Sequence, residues 1–178
     1  MYSLAAAPFL KKGMAVAVVG YRTYPDGDVC HQVEDLELAA EELAKRYPKL
    51  CTEETELGVS VMGHSSGAHI AMQMLVNRLK RDLAGGYMMV DDTSMRIDSF
   101  IGISAPYEIA SHYEFETLRG LEELSPMKPA CGGDKERLSD YSPLLDLQKT
   151  LTRSTNNDRK SLAAKCPRIA MIHGVKDD

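Results

Sequence analysis

The apolar positions of this chain fall into short continuous runs that are separated by longer amphipathic stretches. The runs are rich in valine, isoleucine and methionine, as expected of strands buried in a sheet. They occupy residues 14–20, 57–62, 97–103 and 168–172. Four strands separated by helical segments predict an α/β fold with a mostly parallel sheet and right-handed crossovers.

The amphipathic stretches between the runs have helical spacing. In residues 29–47, an apolar residue recurs every three or four positions, so these residues form one stripe along a helix. The acidic residues lie mostly outside that stripe. The stripe consists of Val29, Val33, Leu36, Ala40, Leu43 and Tyr47. Residues 68–79 have similar spacing, and residues 3–12 form a short helix candidate that Gly13 ends. These stretches are predicted to flank the sheet as helices.

Residues 105–165 interrupt the alternation and are predicted to form a helical insertion. Within the insertion, helices are expected at residues 109–118 and 144–151, the second with Ser142 as its N-cap and Pro143 in its first turn. Residues 152–161 contain no apolar side chain and are expected to form a loop. The insertion either covers a substrate pocket or decorates the surface. The predicted organisation is one domain, with a core of residues 1–104 and 166–178.

Composition narrows the class of protein. The chain has 178 residues, 44% apolar and 26% charged, which is typical of one globular domain. A net charge of −5 without a basic cluster argues against nucleic-acid binding. No apolar run is long enough to span a bilayer, and no basic residue precedes the apolar N-terminal stretch, so neither a transmembrane segment nor a signal peptide is expected.

The cysteines favour a reducing compartment. Cys30, Cys51, Cys131 and Cys166 are widely separated, without a C-x-x-C pair or a histidine spacing typical of zinc. They are predicted to be reduced thiols in a cytoplasmic protein, with no bound metal. The sequence leaves the oligomeric state open.

The segment Gly63-His64-Ser65-Ser66-Gly67 fits the pattern G-x-S-x-G between a predicted strand and a predicted helix. In a nucleophile elbow of this form, the serine lies on a strained turn that exposes its hydroxyl group. Side chains at Gly63 and Gly67 are expected to crowd the turn. The alternative is an ordinary glycine turn between a strand and a helix.

Three motifs together resemble the α/β-hydrolase superfamily over nearly the whole chain. They are Tyr21-Arg22-x-x-Pro25, the segment around Ser65, and His173-Gly174-x-x-Asp177. The closest resemblance is to the small carboxylesterase branch, which includes kynurenine formamidase-like and prenylcysteine methylesterase-like enzymes. It implies a partial α/β-hydrolase fold with a cap-like helical insertion. Ser142-Pro143 also matches a Ser-Pro of this branch.

The resemblance implies hydrolysis of a carboxylic ester, or of a related amide or formamide, through an acyl-enzyme on Ser65. The backbone N–H of Ser66 would stabilise the oxyanion, and Asp177 would orient a histidine base. A small-molecule ester or amide would be the substrate. The chemistry needs no metal or organic cofactor.

Two parts of this machinery are absent from the printed sequence. The order in this fold is serine, acid, histidine, and no histidine follows Asp177; a His-Gly-Gly oxyanion loop is also absent. The remaining histidines are not expected to serve as the base: His31, His64, His69, His112 and His173. The sequence is therefore expected to be incomplete at both ends, with little esterase activity as written.

Two alternatives to hydrolysis remain. One is a truncated, catalytically incomplete protein that binds a ligand or partner without turnover. The other is a nucleotide-binding doubly wound domain, which the absence of G-x-G-x-x-G and of a P-loop disfavours.

Overall fold

The computed structural model describes residues 2–51, 58–84 and 95–174. The helices in these residues are α1 (Tyr2–Leu10), α2 (Val29–Arg46), α3 (Ser66–Leu83), α4 (Ile109–Leu118), α5 (Met127–Ala130), α6 (Pro143–Arg153) and α7 (Asn156–Lys165). The strands are β1 (Val59–His64), β2 (Ile97–Ile103) and β3 (Arg168–Ile172), and short 3₁₀ segments lie at Pro48–Cys51 and Lys135–Tyr141.

The three strands form one parallel sheet in the order β1-β2-β3, as the sequence predicts. His64 of β1 lies opposite Ile103 of β2, and Ile103 lies opposite Ile172 of β3. The carboxyl ends of all three strands therefore meet at one edge. The residues that follow them, including Ser65, occupy the position where ligands bind in open α/β sheets.

Helix α3 forms the centre of the hydrophobic core. Every residue from Ala68 to Val76 is buried, and Phe100 of the central strand is fully buried against this helix and its neighbours. Complete burial of one such apolar side chain contributes about 1.5–3 kcal/mol to folding. This packing fixes the start of α3, and hence the turn at Ser65, relative to the sheet.

Helix α2 begins and ends where the sequence predicts, within one residue. The Asp28 carboxylate accepts a hydrogen bond of 3.0 Å from the His31 N–H, which caps the helix. Val29, Val33 and Ala40 of the predicted stripe are buried. Of the acidic residues off the stripe, Glu34, Glu41 and Glu42 are exposed as predicted. Asp35 and Glu37 are instead half-buried, because Asp35 pairs with Arg22 and Glu37 pairs with Arg78 and Arg81.

The strand predicted at residues 14–20 is wrong. These residues form no strand in the structure and pair with none of β1, β2 and β3. Val18 is 54% exposed. Valine-rich composition favours extended backbone, but a strand also needs a neighbour that completes its hydrogen-bond ladder, and the described residues provide none.

The insertion between β2 and β3 is helical, as predicted, with α4 at the expected residues and α6 beginning at Pro143 after Ser142. The loop predicted at residues 152–161 is wrong. Helix α6 extends to Arg153, and a Thr155–Asp158 capping box starts α7. The buried Leu162 anchors α7, so a cap and one apolar contact support a helix that is otherwise polar.

Candidate active site

Ser65 occupies the single residue between β1 and α3. Its φ of 51° and ψ of −124° put a residue with a Cβ in a strained region of backbone space. Its N–H donates a 2.8 Å hydrogen bond to the Ile103 carbonyl, and its own carbonyl accepts hydrogen bonds from Ala68 and His69 at 3.0 and 3.1 Å. These bonds hold the strand-to-helix turn that the sequence predicts.

Gly63 is required because its neighbours approach closely. A Cβ at Gly63 would lie 2.4 Å from the Ala68 Cα and 2.5 Å from the Ala68 nitrogen, both backbone atoms that cannot move independently. The expectation for Gly67 is wrong: a Cβ there would meet only the Tyr21 hydroxyl, at 3.7 Å, which is ordinary contact. The positive φ of the turn falls on Ser65 and on neither glycine.

The Ser65 side chain is accessible and makes no hydrogen bond within the described part of the chain. Ser65 and Ser66 are both exposed. Ser66 is the first residue of α3, where backbone N–H groups have no acceptor inside the helix and the helix dipole favours negative charge. The arrangement suits an anionic oxygen beside Ser65.

The sheet edge next to Ser65 carries a second strained serine, Ser104, which directly follows β2. Its φ is 47°, and its N–H donates a 2.8 Å hydrogen bond to the Ile172 carbonyl. One backbone bond thus joins the ends of β1 and β2, and another joins the ends of β2 and β3. Sequence reasoning missed Ser104, since a serine after a strand carries no distinctive pattern.

The Tyr-Arg motif supports the turn from the side of α2. The Tyr21 hydroxyl lies 3.1 Å from the Ser66 hydroxyl. The Arg22 side chain donates hydrogen bonds to the Asp35 carboxylate from Nη2 at 2.7 Å and from Nε at 3.0 Å. The Arg22 backbone N–H donates a third bond of 2.8 Å to the same carboxylate. Arg22 therefore anchors the loop on α2, and this places Tyr21 against the residue after Ser65.

The Asp35–Arg22 contact predicts a pH dependence of stability. The Arg22 guanidinium lowers the pKa of Asp35 from 3.8 to about 2 in the folded chain. As the pH falls, Asp35 is therefore protonated in the unfolded chain before it is protonated in the folded chain. The stability that the Asp35–Arg22 contact contributes is fully present above pH ~4 and is lost as the pH falls towards about 2. We expect the melting temperature of Asp35→Asn to depend less on pH in this window than that of the wild type. Parallel pH–melting curves for the two proteins would contradict the assignment.

His69, His31 and His112 contact groups other than Ser65. The buried His69 donates from Nε2 to the Tyr141 carbonyl at 2.7 Å and joins α3 to the insertion, and burial lowers the pKa of His69. His31 bonds to Asp28 at 2.8 Å, and His112 lies 3.5 Å from Glu116.

His64 and His173 are exposed at the ends of β1 and β3. None of the histidines is hydrogen-bonded to the Ser65 hydroxyl in the described part of the chain. Asp177 lies outside the described residues.

Aromatic residues of the insertion, together with Met127, mostly attach it to the core. Tyr113 is buried, and Tyr107 and Met127 pack against the central core cluster, while Phe115 is exposed beneath Arg119. The packing therefore indicates that Tyr107, Tyr113 and Met127 hold the insertion to the core.

The described residues contain no group of three or more His, Cys, Asp or Glu side chains arranged to hold a metal ion. Cys30, Cys131 and Cys166 are free thiols, and burial raises the pKa of Cys131 to about 12. No helix among the described residues combines the length and the apolar content that crossing a membrane requires.

Comparison with known proteins places this geometry in context. A probable isoprenylcysteine alpha-carbonyl methylesterase of Arabidopsis thaliana is 26% identical over 98% of this chain and 34% of its own length. Kynurenine formamidase of Danio rerio is 28% identical over 67% of this chain and 37% of its own length. The chain thus spans roughly a third of the length of these curated relatives.

The fold is that of known esterases. Esterase B of Lactobacillus rhamnosis aligns with a TM-score of 0.50 and 15% identity, over 86% of this chain and 53% of the esterase. This confirms the predicted α/β-hydrolase fold. The BD-FAE family matches residues 1–178. The chain therefore belongs to the BD-FAE family, an α/β-hydrolase-like family with esterase and hydrolase relatives.

Proposed function

We propose that this protein is a serine hydrolase that cleaves a carboxylic ester, or a related amide or formamide, through an acyl-enzyme on Ser65. The observation that carries the proposal is the strained φ of 51° at an exposed serine between β1 and α3, at the carboxyl edge of the parallel sheet. Strain of this kind persists where the surrounding structure enforces it, and it is concentrated at functional sites.

In the proposed reaction, the Ser65 oxygen attacks the carbonyl carbon of the substrate and its proton passes to a base. The carbonyl electron pair moves to oxygen, and the Ser66 N–H and the positive end of the α3 dipole stabilise that negative charge. Collapse of the intermediate breaks the bond to the leaving alcohol or amine, which receives the proton. Water then attacks acyl-Ser65 in the same way and releases the acid.

The base is a histidine that Asp177 orients, according to the serine-acid-histidine order of this fold. None of the five histidines is assigned this role, because none follows Asp177 in the sequence. We therefore assign Ser65 as the nucleophile, the Ser66 N–H as an oxyanion donor and Asp177 as the acid, and we assign none of the five histidines of the sequence as the base.

The names of the relatives support the proposed substrate class. Their names specify a methylesterase that acts at an alpha-carbonyl and a formamidase. Both reactions begin with attack on a carbonyl carbon that carries an oxygen or nitrogen leaving group. The proposal extends that shared chemistry to this chain.

Chemical rescue tests the proposal on the 178-residue chain itself. Imidazole in solution can reach the exposed Ser65 and act as the missing base. We expect imidazole to raise the release of p-nitrophenolate from p-nitrophenyl butyrate by at least about tenfold over the chain alone, after subtraction of the rate with imidazole and no protein. A rate equal to that of imidazole without protein would contradict the proposal.

The second candidate function is binding of an ester-like ligand without turnover. The observation that favours it is the lack of any hydrogen bond from the Ser65 hydroxyl to a base among the described residues. This function predicts saturable binding of methyl butyrate. It also predicts no protein-dependent release of p-nitrophenolate from p-nitrophenyl butyrate, with or without imidazole.

A further inference from the structure

Ser104 shares with Ser65 a backbone conformation that residues with a Cβ avoid. Among the described residues these two serines are the only non-glycine positions with positive φ, at 47° and 51°. They follow neighbouring strands at the same edge of the sheet. Glycine adopts such a φ without the steric cost that a Cβ brings.

The fold uses only the backbone of Ser104. The Ser104 N–H donates to the Ile172 carbonyl at 2.8 Å, a bond that glycine would make equally well. The Ser104 side chain is exposed, and its hydroxyl forms no hydrogen bond with any described residue. Polar residues in the left-handed region are usually favoured by a local side-chain hydrogen bond, which is missing here. Neither packing nor local bonding accounts for a serine at this position.

The position of Ser104 brings it next to the nucleophile. The Ser65 N–H bonds to the Ile103 carbonyl, which belongs to the peptide group that joins Ile103 to Ser104. A substrate group that extends from Ser65 towards the end of β2 would pass Ser104. The free hydroxyl of Ser104 is available as a hydrogen-bond donor on the β2 side.

We propose that Ser104 is a substrate-contacting residue that donates a hydrogen bond to an acceptor oxygen in the acyl or alkoxy group of the ester. It would favour esters that carry such an oxygen over their all-carbon analogues. The inference rests on the proposed function, because it deepens the specificity of the Ser65 site.

The test measures binding, which does not depend on the reactivity of Ser65. In a Ser65→Ala background, two pairs of similar shape are titrated by NMR. The acyl pair is methyl methoxyacetate and methyl butyrate; the alkoxy pair is methoxyethyl acetate and butyl acetate. In one of the two pairs, we expect the ester with the additional ether oxygen to bind about 3- to 10-fold more tightly than its partner, as one neutral hydrogen bond allows. The pair that shows the preference identifies the group that Ser104 contacts.

Variants at Ser104 separate the hydroxyl from the backbone strain. Ser104→Ala keeps the strained φ and is expected to remove the preference. Ser104→Gly is expected to remove the preference as well and to raise the melting temperature by roughly 2–4 °C, because the strain is released. The matched control is Ser161→Ala, which removes an exposed hydroxyl from α7 and is expected to keep the preference.

Two results would overturn the role of Ser104. The first is equal affinity for the two members of each pair in the Ser65→Ala background, or no binding of any of the four esters. The second is a preference that survives Ser104→Ala. The proposed function fails separately. In that case imidazole produces no protein-dependent phenolate release, whatever the ester preference is.

Discussion

Gly63→Ala is expected to dismantle the turn at Ser65 and to lower the free energy of unfolding by about 3 kcal/mol or more. The added Cβ would lie 2.4 and 2.5 Å from the Ala68 Cα and nitrogen, and 2.7 Å from the Gly67 carbonyl carbon. These are backbone atoms of the first turn of α3, whose next residues form the buried core. Relief of the clash therefore requires α3 to move away from the sheet. Urea denaturation followed by circular dichroism measures the loss.

Gly67→Ala provides the matched control, since it makes the same change four residues away in the same motif. Its Cβ would meet only the Tyr21 hydroxyl, at 3.7 Å. Alanine is also favoured over glycine within a helix, so we expect stability to stay constant or to rise by up to about 1 kcal/mol. Equal destabilisation by the two substitutions would show that the close approach at Gly63 does not hold the turn.

Ser65→Ala is expected to abolish all protein-dependent p-nitrophenolate release, including the part that imidazole rescues. In a complete triad, loss of the serine costs on the order of a millionfold in turnover. Alanine keeps the Cβ and the strained φ, so the melting temperature is expected to stay close to that of the wild type. The measurement is the rate of phenolate release from p-nitrophenyl butyrate with imidazole present.

Ser66→Ala distinguishes the two adjacent serines. Ser66 is proposed to act through its backbone N–H, which alanine retains, while the side chain loses only the contact with the Tyr21 hydroxyl. We expect phenolate release within about fivefold of the wild-type rate, as the loss of one exposed hydrogen bond implies. A loss in Ser66→Ala as complete as that in Ser65→Ala would mean that the assignment of the nucleophile is wrong.

Local patterns predicted the parts of the fold whose causes are local. The apolar stripe of α2 lies in one stretch of sequence, and so do the strand, glycine and serine around Ser65. Helix α7 has a local cause as well, the Thr155–Asp158 capping box. It was missed because the absence of apolar residues outweighed this short signal.

Other features depend on parts of the chain that are distant in sequence. Residues 14–20 have the composition of a strand, but pairing is a property of two segments, and the described residues provide no partner. The tight approach at Gly63 was foreseen from the motif, whereas the tolerance at Gly67 depends on the space next to Tyr21. The strain at Ser104 arises where β2 bonds to the end of β3, and no pattern in the sequence indicates it.

Covalent phosphonylation distinguishes Ser65 from every other serine as the nucleophile. A p-nitrophenyl alkylphosphonate loses p-nitrophenolate when a serine oxygen bonds to its phosphorus, and the product is stable enough for peptide mapping by mass spectrometry. With imidazole present, the account predicts one phosphonyl group per chain, on Ser65. An adduct on Ser66, on Ser104 or at another position, or a chain that remains unmodified by excess reagent, would contradict it.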